Sequence, residues 1–471
     1  MADINRPKSV YALTFIFTVN CLCADGAFAI ISYVYDSIGL YNLGQVAIFI
    51  TWTSYSVGIL YTTEILSIFR QLRTSILVGW LINGSPILIA MAAYACHDHG
   101  NTAGICHHDV IRCAIYVASL INGSIACTFL WTGSFTFIDS IAHPREKQNF
   151  FGIFHPALYG ANLIANSMNI VFYTYKFNTI YCFAGFYGCY AIVTCSILCL
   201  LPRLTIDDRV PCDAMVHVDR DENGGNDGKR GEWGGGGKGG MPGIGDVIRV
   251  YLGLLRRKET WRVLPMMINS GLNQMFSAAA FYRLVVMVYE GTTADEYHIK
   301  VMISLQILIF AVGAISVAQI IKVMPTTWLD KAILLNSSVS TAVMIFLSFA
   351  IYRMNSIWLA YIPVFFIGGN ELAFNQLFSM YAALLESPTE SFALYKMIQN
   401  ICCALNCLFF ILSTPQLFYT ISALIFSCLF VWLVLNMKAE CPRSMAGSHL
   451  IDAESILHLQ GLDRSIDLQS S

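Results

Sequence analysis

The sequence predicts an all-α, multi-pass membrane protein built from two six-helix halves. Three observations predict it. Apolar residues make up 56% of the 471-residue chain and charged residues only 12%, with a mean hydropathy of +0.59; a soluble domain carries about 25% charge. Apolar stretches long enough to cross a bilayer, which takes about 20 residues, recur about twelve times. Between the sixth and the seventh lies the least hydrophobic stretch of the chain, Arg203 to Asp246, crowded with glycine and charge. It has almost nothing to bury and reads as a solvated linker.

The stretches fall near 9–34, 44–64, 74–95, 111–138, 150–173 and 179–201, and then 262–289, 300–321, 331–352, 356–385, 391–412 and 416–437. The first is long enough to span and is expected to stay uncleaved. The division is an N-terminal half over 1–202, a linker over 203–246, a C-terminal half over 247–437 and a polar tail over 438–471, with one short amphipathic stretch at Leu450–Leu459. The run Gly234–Gly237 has no preceding strand and no Gly-Lys-Ser/Thr, so it is linker and not a phosphate loop.

The halves carry a faint internal repeat. Val34-Tyr35-Asp36 matches Val288-Tyr289-Glu290, Asp139-Ser140 matches Glu386-Ser387, and Phe151, Phe154 and His155 match Phe392, Tyr395 and Lys396. The offsets, 254, 247 and 241, shrink in order, as shorter loops in the second half would make them. Two six-helix repeats joined by a polar hinge are the plan of the major facilitator fold, whose halves rock around a central cavity.

Orientation follows from Lys and Arg. With the N-terminus in the cytosol, inside segments hold 23 of the 28 positive residues and outside segments 4; without the linker the balance is 12 against 4. Both termini are therefore expected in the cytosol, and the turn Ser140–Gln148 with them. Arg283 falls within a helix. A net charge of −2 gives no reason to expect a nucleic-acid partner.

Twelve of the 16 cysteines lie in apolar stretches, as small packing residues. Cys96 and Cys106 stand in the loop 96–109, on the expected oxidising side, among four histidines. A disulfide between them is the leading reading. A zinc site using one of them with two histidines competes, although the spacing matches no standard zinc pattern. No other metal or cofactor is expected. No serine or cysteine nucleophile stands at readable spacing from a base, so no enzyme is expected.

Several short stretches resemble the Unc-ninety-three-like family. Leu130-Trp131-Thr132-Gly133 is similar to its Leu-Trp-x-Gly, with Ser134 through Phe137 where Gln-Gly-x-Tyr usually follows. Phe150-Phe151-Gly152-Ile153-Phe154 resembles its strongest signature, with His155 where tryptophan often follows. Gly368-Gly369-Asn370-Glu371 with Asn375-Gln376 is similar to Gly-x-x-Asp-x-x-x-Asn, Glu replacing Asp, and Ser391–Gln399 resembles the start of helix 11. The resemblance implies a facilitator fold and a non-enzymatic protein that regulates or escorts a potassium channel or a receptor. It implies the plasma membrane or an endosomal or lysosomal membrane; a near-dileucine run at Asp452–Leu457 points to the latter. Secondary transport of a small solute is the alternative function. The loop Thr62–Thr74 lacks the Gly and Asp-Arg pattern of typical facilitator transporters, which favours regulation. The intramembrane charges favour transport.

In facilitator folds helices 1, 4, 7 and 10 line the cavity, and three of them carry a charge here: Asp25, Arg283 and Glu371. A charge deep in a helix costs about 2.5–3.5 kcal/mol on insertion scales and normally finds a partner. Arg283 lies one turn beyond the repeat image of Asp25, so it is expected to bridge the halves to Asp25 or to reach Glu371. Asn375, one turn from Glu371, is expected to add a polar cavity contact.

Overall fold

The computed structural model describes residues 6–60, 72–100, 104–141, 144–201, 244–276, 280–289, 292–353, 356–382 and 388–438. The expectations for the linker up to residue 243, for the turn around 142–143 and for the tail beyond 438 lie outside these residues. Among the described residues the chain is helical, with no strand.

Six long helices come first: α1 (Arg6–Ser37), α2 (Leu43–Leu60), α3 (Leu72–Asp98), α4 (His108–Ile121, continued by Asn122–Thr132 and Gly133–Ile141), α5 (Pro144–Thr174) and α6 (Thr179–Leu200). Six follow: α7 (Lys258–Met275 and Phe281–Tyr289), α8 (Glu296–Lys322), α9 (Leu329–Ala350), α10 (Ile357–Ala382), α11 (Pro388–Leu412) and α12 (Pro415–Lys438). All twelve expected spans are present. Successive crossings put the described chain ends on one face, the near face, and the α1–α2, α3–α4 and α5–α6 connections on the far face.

Ten of these helices are long and apolar enough to cross a membrane. The other two, α5 and α7, are diluted by amides: Asn162, Asn166 and Asn169 in one, Asn269, Asn273 and Gln274 in the other. Four of these, Asn166, Asn169, Asn269 and Asn273, are buried against protein rather than facing lipid. Asn169 donates to the Gly26 carbonyl of α1 at 2.7 Å, and Asn273 to the Ser340 hydroxyl of α9 at 3.0 Å. In a bilayer such groups must be satisfied within the protein, so α5 and α7 are interior helices.

One helix was not foreseen. Ile244–Leu255 covers the end of the expected linker and leads into α7. It is short and amphipathic, so no long apolar run marks it. Its Tyr251 hydroxyl donates to the Ile59 carbonyl at the end of α2, 3.4 Å away.

The halves meet along two helix pairs, α2 with α11 and α5 with α8. Within the second half, α8 and α10 pack backbone to backbone. A Cβ on Gly313 would lie 1.9 Å from the Phe365 carbonyl oxygen, and one on Gly368 2.1 Å from that of Phe310. Small residues at helix interfaces are how membrane helices approach closely. Gly369, from the same motif, would meet the Val317 side chain at 2.6 Å. The Cys96–Cys106 disulfide closes the far-face loop, with Cα atoms 5.4 Å apart. Both sulfurs are in that bond, which removes the thiolate that the zinc reading needed.

Three outcomes follow. Gly368→Ala pushes against a backbone carbonyl that cannot rotate away, so it should cost about 1–3 kcal/mol and lower the melting temperature of the purified protein. Gly188→Ala, on an open exposed face, should leave that temperature unchanged or raised. A thiol reagent should label Cys96 and Cys106 only after reduction.

Candidate functional site

A cavity of about 420 Å³ lies between the halves. Its charged lining residues are Asp25, Glu371 and Lys396; His155, Trp131, Asn162 and Asn375 line it as well. Of the expected cluster, Asp25, Glu371 and Asn375 are therefore brought together, and Arg283 stands outside.

Arg283 crosses to the other half, but to a different partner. Its Nη2 lies 3.3 Å from Asp36 Oδ2 and donates to Asn42 Oδ1 at 2.7 Å; its Nε donates to the Tyr282 oxygen at 2.8 Å. Tyr282 in turn donates to Asp36 at 2.9 Å and accepts from Gln45. Asn42 adopts φ 59°, a conformation asparagine tolerates, and this lets its backbone N–H donate to Asp36 Oδ1 at 2.9 Å. The expected bridge to Asp25 or Glu371 is thus corrected to Asp36. Asp25 lies about three turns deeper on α1, and the arginine reaches the end of the helix instead.

The ammonium that does enter the cavity is Lys396, near the start of the expected 391–412 stretch. It is 8% exposed. It donates to Asn375 Oδ1 and to Gln399 Oε1, each at 2.8 Å. Its Nζ lies 5.8 Å from the Trp131 ring centre, 5.7 Å from Phe392 and 5.2 Å from Tyr395. Such ring faces stabilise a cation by about 0.5–2 kcal/mol each way they are presented, more when water is excluded. Behind it, Gln399 donates to Ser270 at 2.7 Å and to Tyr395 at 3.2 Å, so α7, α10 and α11 hold the lysine jointly. The signal was in the sequence: Phe392, Tyr395, Lys396 and Gln399 repeat at helical spacing, which puts Lys396 on the inward face.

His155 occupies the place the repeat assigns as the partner of Lys396, and the two lie close enough to interact electrostatically. The Tyr159 hydroxyl, one turn on, donates to Glu371 Oε1 at 3.3 Å. Among the family-motif positions, Trp131 faces the cavity and Asn370 is buried at the α9–α10 contact, accepting from Asn336 at 3.2 Å. Gly133 is buried on α4. Phe151 and Gly152 lie on α5, with side chains outside the described residues. Asn122–Thr132 winds as a π-helix. Such winding is rare and frequent at functional sites; here it carries Asn122, Cys127, Leu130 and Trp131 to the cavity wall.

The halves also touch at residues outside the cavity lining. On the near face Phe135 of α4 stacks on Phe392 of α11, centroids 4.0 Å apart and rings 7° from parallel. On the far face, beside the Arg283 knot, Lys300 of α8 is fully buried. It pairs with Glu296, donates to Thr179 at 2.9 Å and sits among the rings of Tyr94, Tyr173 and Tyr297. Lys300 is the first residue of the expected 300–321 stretch. The helix starts four residues earlier than expected, capped by Asp295 accepting from the His298 N–H at 2.7 Å, so Lys300 is one turn inside. Lys176 meets Asp295 at 2.8 Å on the exposed rim. The bond to Lys176 holds the Asp295 carboxyl below its usual range, and that bond raises Lys176. The rim pair is thus intact at neutral pH and opens as pH falls through the depressed carboxylate range. With Lys300 and Lys396, both inside helices, left out of the count, the expected positive-charge balance without the linker is 11 against 3, so the asymmetry survives.

The nucleoside transporter NupG, known from a crystal structure, is similar in fold: 12% identity, TM-score 0.57, over 93% of this chain and 100% of that one. The chain has a major-facilitator-type fold. No protein-family model matches the sequence. No curated protein matches it either.

The Arg283–Asp36 contact makes a prediction. A double-mutant cycle with Arg283→Ala and Asp36→Ala, read by thermal unfolding, should give a coupling of about 0.5–1 kcal/mol, the low end because both side chains are partly exposed. The cycle of Arg283→Ala with Asp25→Ala should be additive.

Proposed function

We propose that the protein is a secondary transporter that carries a small solute through the cavity between its halves. The observation that carries this is a two-sided site: a 420 Å³ space, within the range of small-molecule pockets, lined from both halves and holding a positioned ammonium. The fold's likeness to a nucleoside transporter supports transport as a class and leaves the solute open. In this reading the halves are 1–202 and 247–437, the linker 203–246 joins them on the cytosolic side, and the tail 438–471 is cytosolic too. Opening one face requires breaking the Phe135–Phe392 stack, and opening the other the Lys300 and Arg283 contacts.

A second reading, that the chain is an Unc-ninety-three-like escort or regulator of a potassium channel or receptor in the plasma or endosomal membrane, rests on the stretches Leu130–Gly133 and Phe150–Phe154. It assigns the cavity charges to stability alone.

The two readings separate in reconstituted vesicles. Transport predicts solute uptake that Lys396→Ala and Trp131→Ala reduce about tenfold or more, since each removes a desolvated cavity contact. Regulation predicts no uptake of any solute by the pure protein and a stoichiometric channel or receptor subunit on affinity purification.

A further inference from the structure

The cavity is not electrically balanced. Its charged lining residues are two carboxylates, Asp25 and Glu371, and one ammonium, Lys396. Lys396 and Glu371 attract one another within the second half, and Tyr159 donates to Glu371. Asp25 has a neutral partner, the Asn162 side chain. Among the described residues no cation lies within ion-pair distance of it, because Arg283 is engaged by Asp36. With both carboxylates ionised, Lys396 protonated and histidine neutral, the lining carries one net negative charge, and Asp25 is the carboxylate with no cationic partner among the described residues.

A carboxylate removed from bulk water without a counter-charge is costly, and breaking a buried pair typically costs several kcal/mol. The charge is balanced either by a proton on Asp25 or by one cation beside it. Its surroundings say what kind. Phe28, Tyr159 and Phe310 line the same cavity, and the last two rings lie 6.0 Å apart. Aromatic faces attract ammonium groups. The space is also far larger than a bare ion. An anion would meet the excess negative charge, and a dication would overcompensate it.

We propose that the cavity takes a monovalent organic cation, an amine whose ammonium pairs with Asp25 and whose apolar body lies against Phe28, Tyr159 and Phe310. This rests on the transport reading and names its substrate class.

The test uses the full chain purified in detergent and four probes of similar size: 2-phenylethylamine, neutral 2-phenylethanol, anionic 3-phenylpropionate and zwitterionic phenylalanine. Binding is read as a rise in melting temperature with probe concentration. The amine should stabilise the wild type and the other three should not. Asp25→Asn, neutral and isosteric, should melt at or above the wild type without probe and bind the amine about tenfold or more weaker; Asp25→Glu should retain binding. Equal stabilisation by the alcohol, stabilisation by phenylalanine or phenylpropionate in place of the amine, or undiminished amine binding in Asp25→Asn overturns the proposal. Should Asp25→Asn not fold, the amine against the alcohol on the wild type decides. Vesicle uptake separates this from the transport reading. Amine binding without uptake of any solute defeats transport and leaves the site assignment standing. Uptake of another solute class without amine binding does the reverse.

Discussion

A charge inside a bilayer has no water to turn to, so the protein must supply its partner. In this chain several of those partners lie across the seam between two six-helix groups. Arg283 of α7 reaches Asp36 and Asn42 at the end of α1. Lys300 of α8 reaches Thr179 at the start of α6 and the rings of Tyr94 and Tyr173. Tyr159 of α5 reaches Glu371 of α10. The seam is held by the same requirement that places polar side chains at its centre.

The two ends of the seam close by different physics. The near end closes with an aromatic stack, Phe135 on Phe392, which has no directional polar bond to break. Stacked rings of this kind contribute about 0.5–1.5 kcal/mol beyond their buried area. The far end closes with a buried lysine and a knot of directed hydrogen bonds around Asp36. Separating the near end exposes apolar surface, whereas separating the far end strands charged donors and acceptors unless water enters with the opening.

Inside each half the constraint is different. There α8 and α10 approach until a single added methyl group would collide with a carbonyl, at Gly313 and Gly368. These glycines let α8 and α10 pack at close range within the second half, where Asn375, Gln399 and the Ser270–Tyr395 pair position Lys396.

The sequence by itself determined the class, the number of spans and where they run, because long apolar stretches and a charged glycine-rich interruption are local properties and the bilayer admits few answers to them. It also determined the Cys96–Cys106 bond, from two cysteines in one short loop, and brought Asp25, Glu371 and Asn375 forward as intramembrane polar groups. Which of them meet was decided only in three dimensions. Arg283 sits on the right helix and on the side facing the other half, yet depth along α1 gave it Asp36 rather than Asp25. Lys300 and Lys396 look like loop charges because each stands within one or two turns of a helix start; the buried face that each turns to is set by neighbours distant in the chain, by Tyr173 and Thr179 for one and Trp131 and Asn375 for the other. Position along a helix is written locally, whereas partnership across a seam depends on how the helices are stacked, and no local pattern carries that.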